Sequence, residues 1–167
     1  REEFLRQGIN SHWRLSNINA DFGVCNTYPN LLCVPNSISD SVLRNAAQTR
    51  CKNRVQTLSY FHRFTGTSII RCAQPLTGEQ FFSCLFASAG TDMANAIRKT
   101  SSNGTLVVFD LRPFKNAVAN CFGGGSYEAS SDNVDVRFCG IENIHKVRAA
   151  YQALFKVVFP QAKTIHE

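Results

Sequence analysis

The sequence predicts an α/β fold with a parallel βαβ unit in its second half. Three observations carry that expectation. Residues 105–109, Thr-Leu-Val-Val-Phe, form a β-branched and aromatic run typical of a buried strand. Asp110-Leu111-Arg112-Pro113 follows, and Pro113 suits the first position of a helix that runs to about Phe122 and stops at Gly123-Gly124-Gly125. Residues 134–139 then alternate as a second strand, Gly140 closes it, and a further helix starts near Asn143. On that helix Ile144, Val147, Tyr151, Leu154 and Val158 share one face, and Pro160 ends it. Strand, helix, strand, helix in this order predicts a parallel pair with a right-handed crossover.

The first half reads less regularly. Pro29 and Pro35 bracket Leu31-Leu32-Cys33-Val34, which predicts a short buried strand. Ser39 is a helix cap, Asp40 an acid in the first turn, and Val42, Leu43, Ala46 and Ala47 give that helix one apolar face. Residues 55–62 and 67–72 predict a hairpin around Phe64-Thr65-Gly66. Residues 81–100 are ambiguous, with a capped helix expected over 91–99. Asn103-Gly104-Thr105 fits a glycosylation acceptor and also marks a turn.

The 167 residues are enough for one domain with a sizeable core. Hydrophobic residues at 44% and charged residues at 18% exclude a disordered or fibrous chain. No apolar run approaches the roughly 20 residues of a membrane-spanning helix. The chain starts at Arg1 and its only methionine is Met93, so it is expected to be a piece of something longer. Seven cysteines without a CxxC pair, and histidines placed away from them, argue against structural zinc. They are expected to be reduced, mostly buried thiols of an intracellular protein. The net charge of +6 suits an anionic partner such as a phosphorylated ligand, a membrane surface or nucleic acid, and is equally met by a plain solvated basic face. No nucleic-acid motif is present.

Ligands of parallel sheets bind beyond the carboxyl ends of the strands. Asp110-Leu111-Arg112-Pro113 and Gly140-Ile141-Glu142-Asn143-Ile144-His145 occupy that edge. Each leads into a helix N-terminus, whose free N–H groups favour an anion. Each residue also has a simpler role. Asp110 and Arg112 can pair with each other, Asn143 can cap its helix, and His145 can be structural. The triple glycine can end a helix rather than cradle phosphate.

Longer motifs add a resemblance. Trp13-Arg14-Leu15-Ser16-Asn17-Ile18-Asn19, Arg71-Cys72-Ala73-Gln74-Pro75-Leu76, Asn116-Ala117-Val118-Ala119-Asn120, Gly123-Gly124-Gly125-Ser126-Tyr127-Glu128 and Gly140-Ile141-Glu142-Asn143-Ile144-His145 occur in order over nearly the whole chain. They resemble the myotubularin family of phosphoinositide phosphatases. The run 50–60 lacks the family's usual proline and 78–94 departs from its pattern, which marks a divergent member.

The resemblance implies a cysteine-based, protein-tyrosine-phosphatase-like fold, present here in part. Residues 1–167 would be the N-terminal portion of the phosphatase domain, with the catalytic loop beyond the C-terminus. It implies a metal-independent enzyme, with no cofactor, acting on the 3-phosphate of phosphatidylinositol 3-phosphate and phosphatidylinositol 3,5-bisphosphate. It implies that Asn120, Asn143 and Ile144 contact the headgroup. The implied partners are an anionic membrane surface, the remainder of the phosphatase domain and a second myotubularin, on cytoplasmic faces of endosomal membranes involved in trafficking. Some relatives lack a working catalytic loop and act as adaptors, which is the alternative. The family's loop needs an arginine six positions after its cysteine, where a bidentate guanidinium meets the phosphoryl group. Six positions after the seven cysteines stand Leu31, Ser39, Thr57, Gly78, Gly90, Tyr127 and His145. No residue within 1–167 is therefore expected to be catalytic, and the chain alone is expected to be inactive.

Overall fold

The computed structural model describes residues 1–76, 84–101 and 104–160. Along the chain run α1 (Glu2–Gln7), β1 (Trp13–Ser16), β2 (Leu32–Pro35), α2 (Asp40–Gln48), β3 (Thr57–His62), β4 (Thr67–Arg71), α3 (Cys84–Arg98), β5 (Leu106–Asp110), α4 (Phe114–Cys121), β6 (Val134–Phe138) and α5 (Ile144–Val158). The strands form three two-stranded sheets: β1 with β2 and β3 with β4, both antiparallel, and β5 with β6, parallel. The result is a mixed α/β protein that contains the expected parallel βαβ unit.

The core follows from strand alternation. On β2, Leu32 and Val34 point to one side and Cys33 to the other, as the two-residue period of a strand requires. Leu32 and Val34 meet Leu43, Ala46 and Ala47 of α2 and Met93, Ala96 and Ile97 of α3. Cys33 joins Trp13, Leu58 and Phe61 in a second cluster, and burial pushes its thiol up to about 12. The apolar face read on α2 is the one that packs. Its cap is as expected: the Ser39 hydroxyl accepts from Val42 N–H at 3.3 Å. Between β1 and β2 the loop is organised by Asn19, fully buried, whose Nδ2 donates to Cys25 and Pro29 carbonyls at 2.9 and 2.8 Å. Its Oδ1 accepts from Cys25 N–H at 2.8 Å.

Several expectations need correction. Helix α3 begins at Cys84, earlier than the cap expected near Thr91. Pro113 is the N-cap of α4 rather than its first helical residue. Strand β5 is not buried on both faces: Val107 and Phe109 are 39% and 60% exposed. Among the described residues its sheet has only two strands, β5 and β6. The six cysteines whose side chains are described are free, but of these only Cys25 and Cys33 are buried, and Cys72 and Cys139 are exposed. The thiols are therefore not mostly core residues. The apolar face of α5 exists as read, yet Ile144, Tyr151 and Leu154 are 71%, 57% and 60% exposed, since no described element covers it. Asn103 of the acceptor motif, His166 and residues 78–83 of the divergent stretch lie outside the described residues; Gly104 turns with φ at 64°.

Candidate functional site

The parallel pairing of β5 and β6 continues past the strands. Cys139 N–H donates to Asp110 O and Ile141 N–H to Leu111 O, each at 2.8 Å. The two loops that leave the carboxyl edge therefore run side by side. Lys115 of α4 reaches Glu142 at 3.5 Å across them. Phe114, Tyr127 and Phe138 meet edge to face, with centroids 5.0 to 5.9 Å apart, and fasten the start of α4 to the end of β6.

Asp110 and Arg112 form the pair that their spacing allows. Arg112 Nη2 donates to Asp110 Oδ2 at 2.6 Å and Nε to Oδ1 at 2.9 Å, with the Arg112 backbone N–H on Oδ1 at 3.0 Å. Burial alone would raise the Asp110 pKa, but these donors outweigh it and hold the carboxyl below its ordinary range. The guanidinium is in turn held further in its charged form. Arg112 also donates to Ser126 O at 3.1 Å and to Gln74 Oε1.

Asn120 comes next in this chain of contacts. Its Nδ2 donates to the same Gln74 Oε1 at 3.4 Å. One acceptor therefore meets donors from the beginning and the end of the segment that contains α4. Asn120, which sits late in its helix, is in this way returned to the vicinity of the strand end. The Asn120 carbonyl accepts from Gly123 and Gly125 N–H groups, both at 3.0 Å. The triple glycine ends the helix, with Gly124 at φ 80°, but the loop is not loose. Ser126 N–H donates to Pro75 O at 2.8 Å, and Gly125 bridges to Leu76.

At the other strand end, Asn143 is the N-cap of α5. Its Oδ1 accepts from His145 and Lys146 N–H groups at 3.1 and 3.2 Å. The cap role anticipated for it is real. It also leaves two groups over: the Asn143 Nδ2, and the N–H of Ile144, which the cap does not reach. Both face an exposed surface. Among the described residues no hydrogen bond joins Asn120 to Asn143 or Ile144, and no group of three or more His, Cys, Asp or Glu side chains could hold a metal ion.

Sequence reasoning missed Gln74, Arg50 and Glu128. Gln74 stands inside a motif already singled out, but nothing local indicates that it spans to Arg112 and Asn120. Arg50 is 5% exposed and pairs with Glu128, while donating to Ala73 O at 3.3 Å.

Alongside the Asp110–Arg112 and Lys115–Glu142 pairs, this edge presents amide groups and backbone N–H donors. The class that the fold defines is a mixed α/β protein with a polar strand-end edge. Comparison supplies the family. The profile described as "Myotubularin-like phosphatase domain" matches residues 1–167, and the chain belongs to this family. It is 40% identical over 162 residues to human phosphatidylinositol-3,5-bisphosphate 3-phosphatase MTMR6, covering 93% of this chain and 25% of that protein. It is 36% identical over 168 residues to rat myotubularin, covering 99% and 28%. Against chicken phosphatidylinositol-3,5-bisphosphate 3-phosphatase MTMR2 it is 36% identical over 168 residues, covering 98% and 29%. The chain thus spans under a third of the length of these relatives.

Proposed function

We propose that this chain is the N-terminal portion of a phosphoinositide 3-phosphatase domain of protein-tyrosine-phosphatase-like fold, acting on phosphatidylinositol 3-phosphate and phosphatidylinositol 3,5-bisphosphate. It contributes headgroup contacts, while another part of the same protein contributes the nucleophilic cysteine, the arginine six positions on and the general acid. In this reading Asn143 Nδ2 and Ile144 N–H donate to headgroup oxygens at the start of α5, where the helix dipole favours negative charge. Asn120 exchanges hydrogen bonds with ring hydroxyls. The net charge of +6 favours an anionic membrane, here the cytoplasmic face of endosomes. The remainder of the domain covers α5, and a second myotubularin is a pairing partner.

One observation carries the reading: Gln74 ties Asn120 to Arg112, so the residues that the family motifs single out lie about one strand-end edge and keep spare polar groups there. The test is phosphate release from vesicles of each lipid by the protein with its complete phosphatase domain. Asn120→Ala and Asn143→Ser should each lower turnover per folded molecule by about tenfold, the loss of one or two hydrogen bonds to a charged group. Wild-type rates in both variants would overturn the headgroup assignment. A folded whole protein without turnover on either lipid, but with stable pairing to an active myotubularin, would establish the adaptor role instead.

A further inference from the structure

Gln74 is held from both sides. Its backbone carbonyl accepts from Cys51 N–H at 3.0 Å, and its side-chain Oε1 receives Arg112 Nη1 and Asn120 Nδ2. A Cβ added at the buried Gly125 would collide with Gln74 Nε2. Glycine at 125 is thus what makes room for this amide. The bonding also has a fixed polarity. A carboxylate only accepts and a guanidinium only donates. Asp110 therefore anchors the acceptor end, and Arg112 must meet the oxygen of Gln74, not its nitrogen. That oxygen then needs a donor from Asn120, which only Nδ2 supplies. The order Asp110, Arg112, Gln74, Asn120 leaves Asn120 Oδ1, without a hydrogen bond among the described residues, as the group free for a ligand.

We propose that Gln74 is a positioning residue that fixes the flip of the Asn120 amide, so that Asn120 offers its oxygen to a ligand hydroxyl and disfavours an acceptor-only phosphate at that point. The inference rests on the headgroup reading above and deepens it, since it assigns Asn120 to a free ring hydroxyl and not to a phosphate. Gln74 itself acts through Asn120. Arg112 supplies the donor that settles the orientation of Gln74, and Gly125 supplies the space.

The experiment is steady-state kinetics on short-chain phosphatidylinositol 3-phosphate, with the protein carrying its complete phosphatase domain, in a double-mutant cycle. Gln74→Leu keeps the size of the side chain but accepts no hydrogen bond. It should raise KM by about tenfold with kcat changed less than about threefold. Gln74→Glu, which still accepts from both donors, should restore KM to within about threefold of wild type. In the Asn120→Ala background Gln74→Leu should add less than about twofold, because the two act as one unit. Unchanged KM in Gln74→Leu, or a full multiplicative effect on top of Asn120→Ala, would overturn the positioning role while leaving the headgroup reading intact. Wild-type kinetics in Asn120→Ala would overturn the headgroup reading, and this inference with it. If Gln74→Leu fails to fold, Gly125→Ala displaces the same amide from a position without positive φ. It should reproduce the KM effect and its coupling to Asn120, and a wild-type KM there would refute the proposal.

Discussion

Arg50 and Glu128 form an ion pair across 78 residues of chain, and it joins the two halves of the molecule. Arg50 is 5% exposed and Glu128 about a third exposed, so the pair is asymmetric: the cation is the buried partner. Among the described residues Arg50 Nε has no hydrogen-bond partner, so the guanidinium depends on the contacts of Nη1 with Glu128, Ala73 O and Cys72 Sγ. Glu128→Ala should therefore cost about 2–3 kcal/mol, mostly the penalty of leaving a buried charge unpaired. Glu128→Gln, which keeps an acceptor, should cost less. Urea denaturation of the two variants checks this, and equal stability of Glu128→Ala and wild type would show the pair to be superficial.

Asn143 caps α5, and the headgroup contact proposed for it separates from the cap by substitution. Asn143→Ala removes the cap on α5 and should cost about 1 kcal/mol. Asn143→Ser retains an oxygen for the cap but lacks the amide nitrogen. Its melting temperature should stay close to wild type while turnover of phosphatidylinositol 3-phosphate falls. A loss of activity that simply tracks a loss of stability across both variants would reduce Asn143 to its cap.

The Asp110 carboxyl is held below its ordinary 3.8 by Arg112. A folded-state pKa below the unfolded one means that the pair stabilises the protein above the unfolded value. That contribution disappears as pH falls from about 4 through the folded value. Asp110→Asn should lower stability at pH 7 and flatten the acid limb of the stability curve in that window. Denaturant midpoints measured from pH 7 to pH 3 give the comparison. Parallel acid limbs for the two proteins would contradict it.

The parts of the fold legible in the sequence are those where one local rule decided the outcome. Ser39 capped α2 because a hydroxyl there meets a free N–H three residues on. The hairpin expected over 55–72 formed as Thr57–His62 paired with Thr67–Arg71, because Gly66, at φ 69°, closes a short turn. Strands β5 and β6 ran parallel because a helical segment separates two β-branched runs. What stayed hidden was set by distant partners. Nothing in the local sequence marks β1 as a strand: it exists because Trp13, Arg14, Leu15 and Ser16 pair with β2. Asn120 reads as a late-helix residue far from any edge until Gln74, 46 residues earlier, brings it back. The strand-end rule reaches the edge that holds Asn143 and Ile144, but the choice of these two residues came from the family motif. The partial exposure of β5 was not, because periodicity records which residues are apolar and not what covers them.

The face of α5 offers the most direct test of what lies against it. Tyr151, Leu154 and Val158 are each more than half exposed, and Ile144 at the head of the same face belongs to the candidate site. A row of large apolar groups at helical spacing is costly to leave in water, and full burial of each is worth about 1.5–3 kcal/mol. If the remainder of the domain covers this face, Leu154→Lys should lower the stability of the whole protein by at least about 2 kcal/mol and reduce its soluble yield. It should also perturb turnover, because α5 carries Asn143 and Ile144 at its first turn. Lys146→Ala, on the same helix outside the apolar row, should do neither, since it leaves that row intact. A Leu154→Lys protein as stable as wild type would mean that the helix face stays open in the whole molecule, and the position of Ile144 would then have to be fixed by the loop after β6 alone.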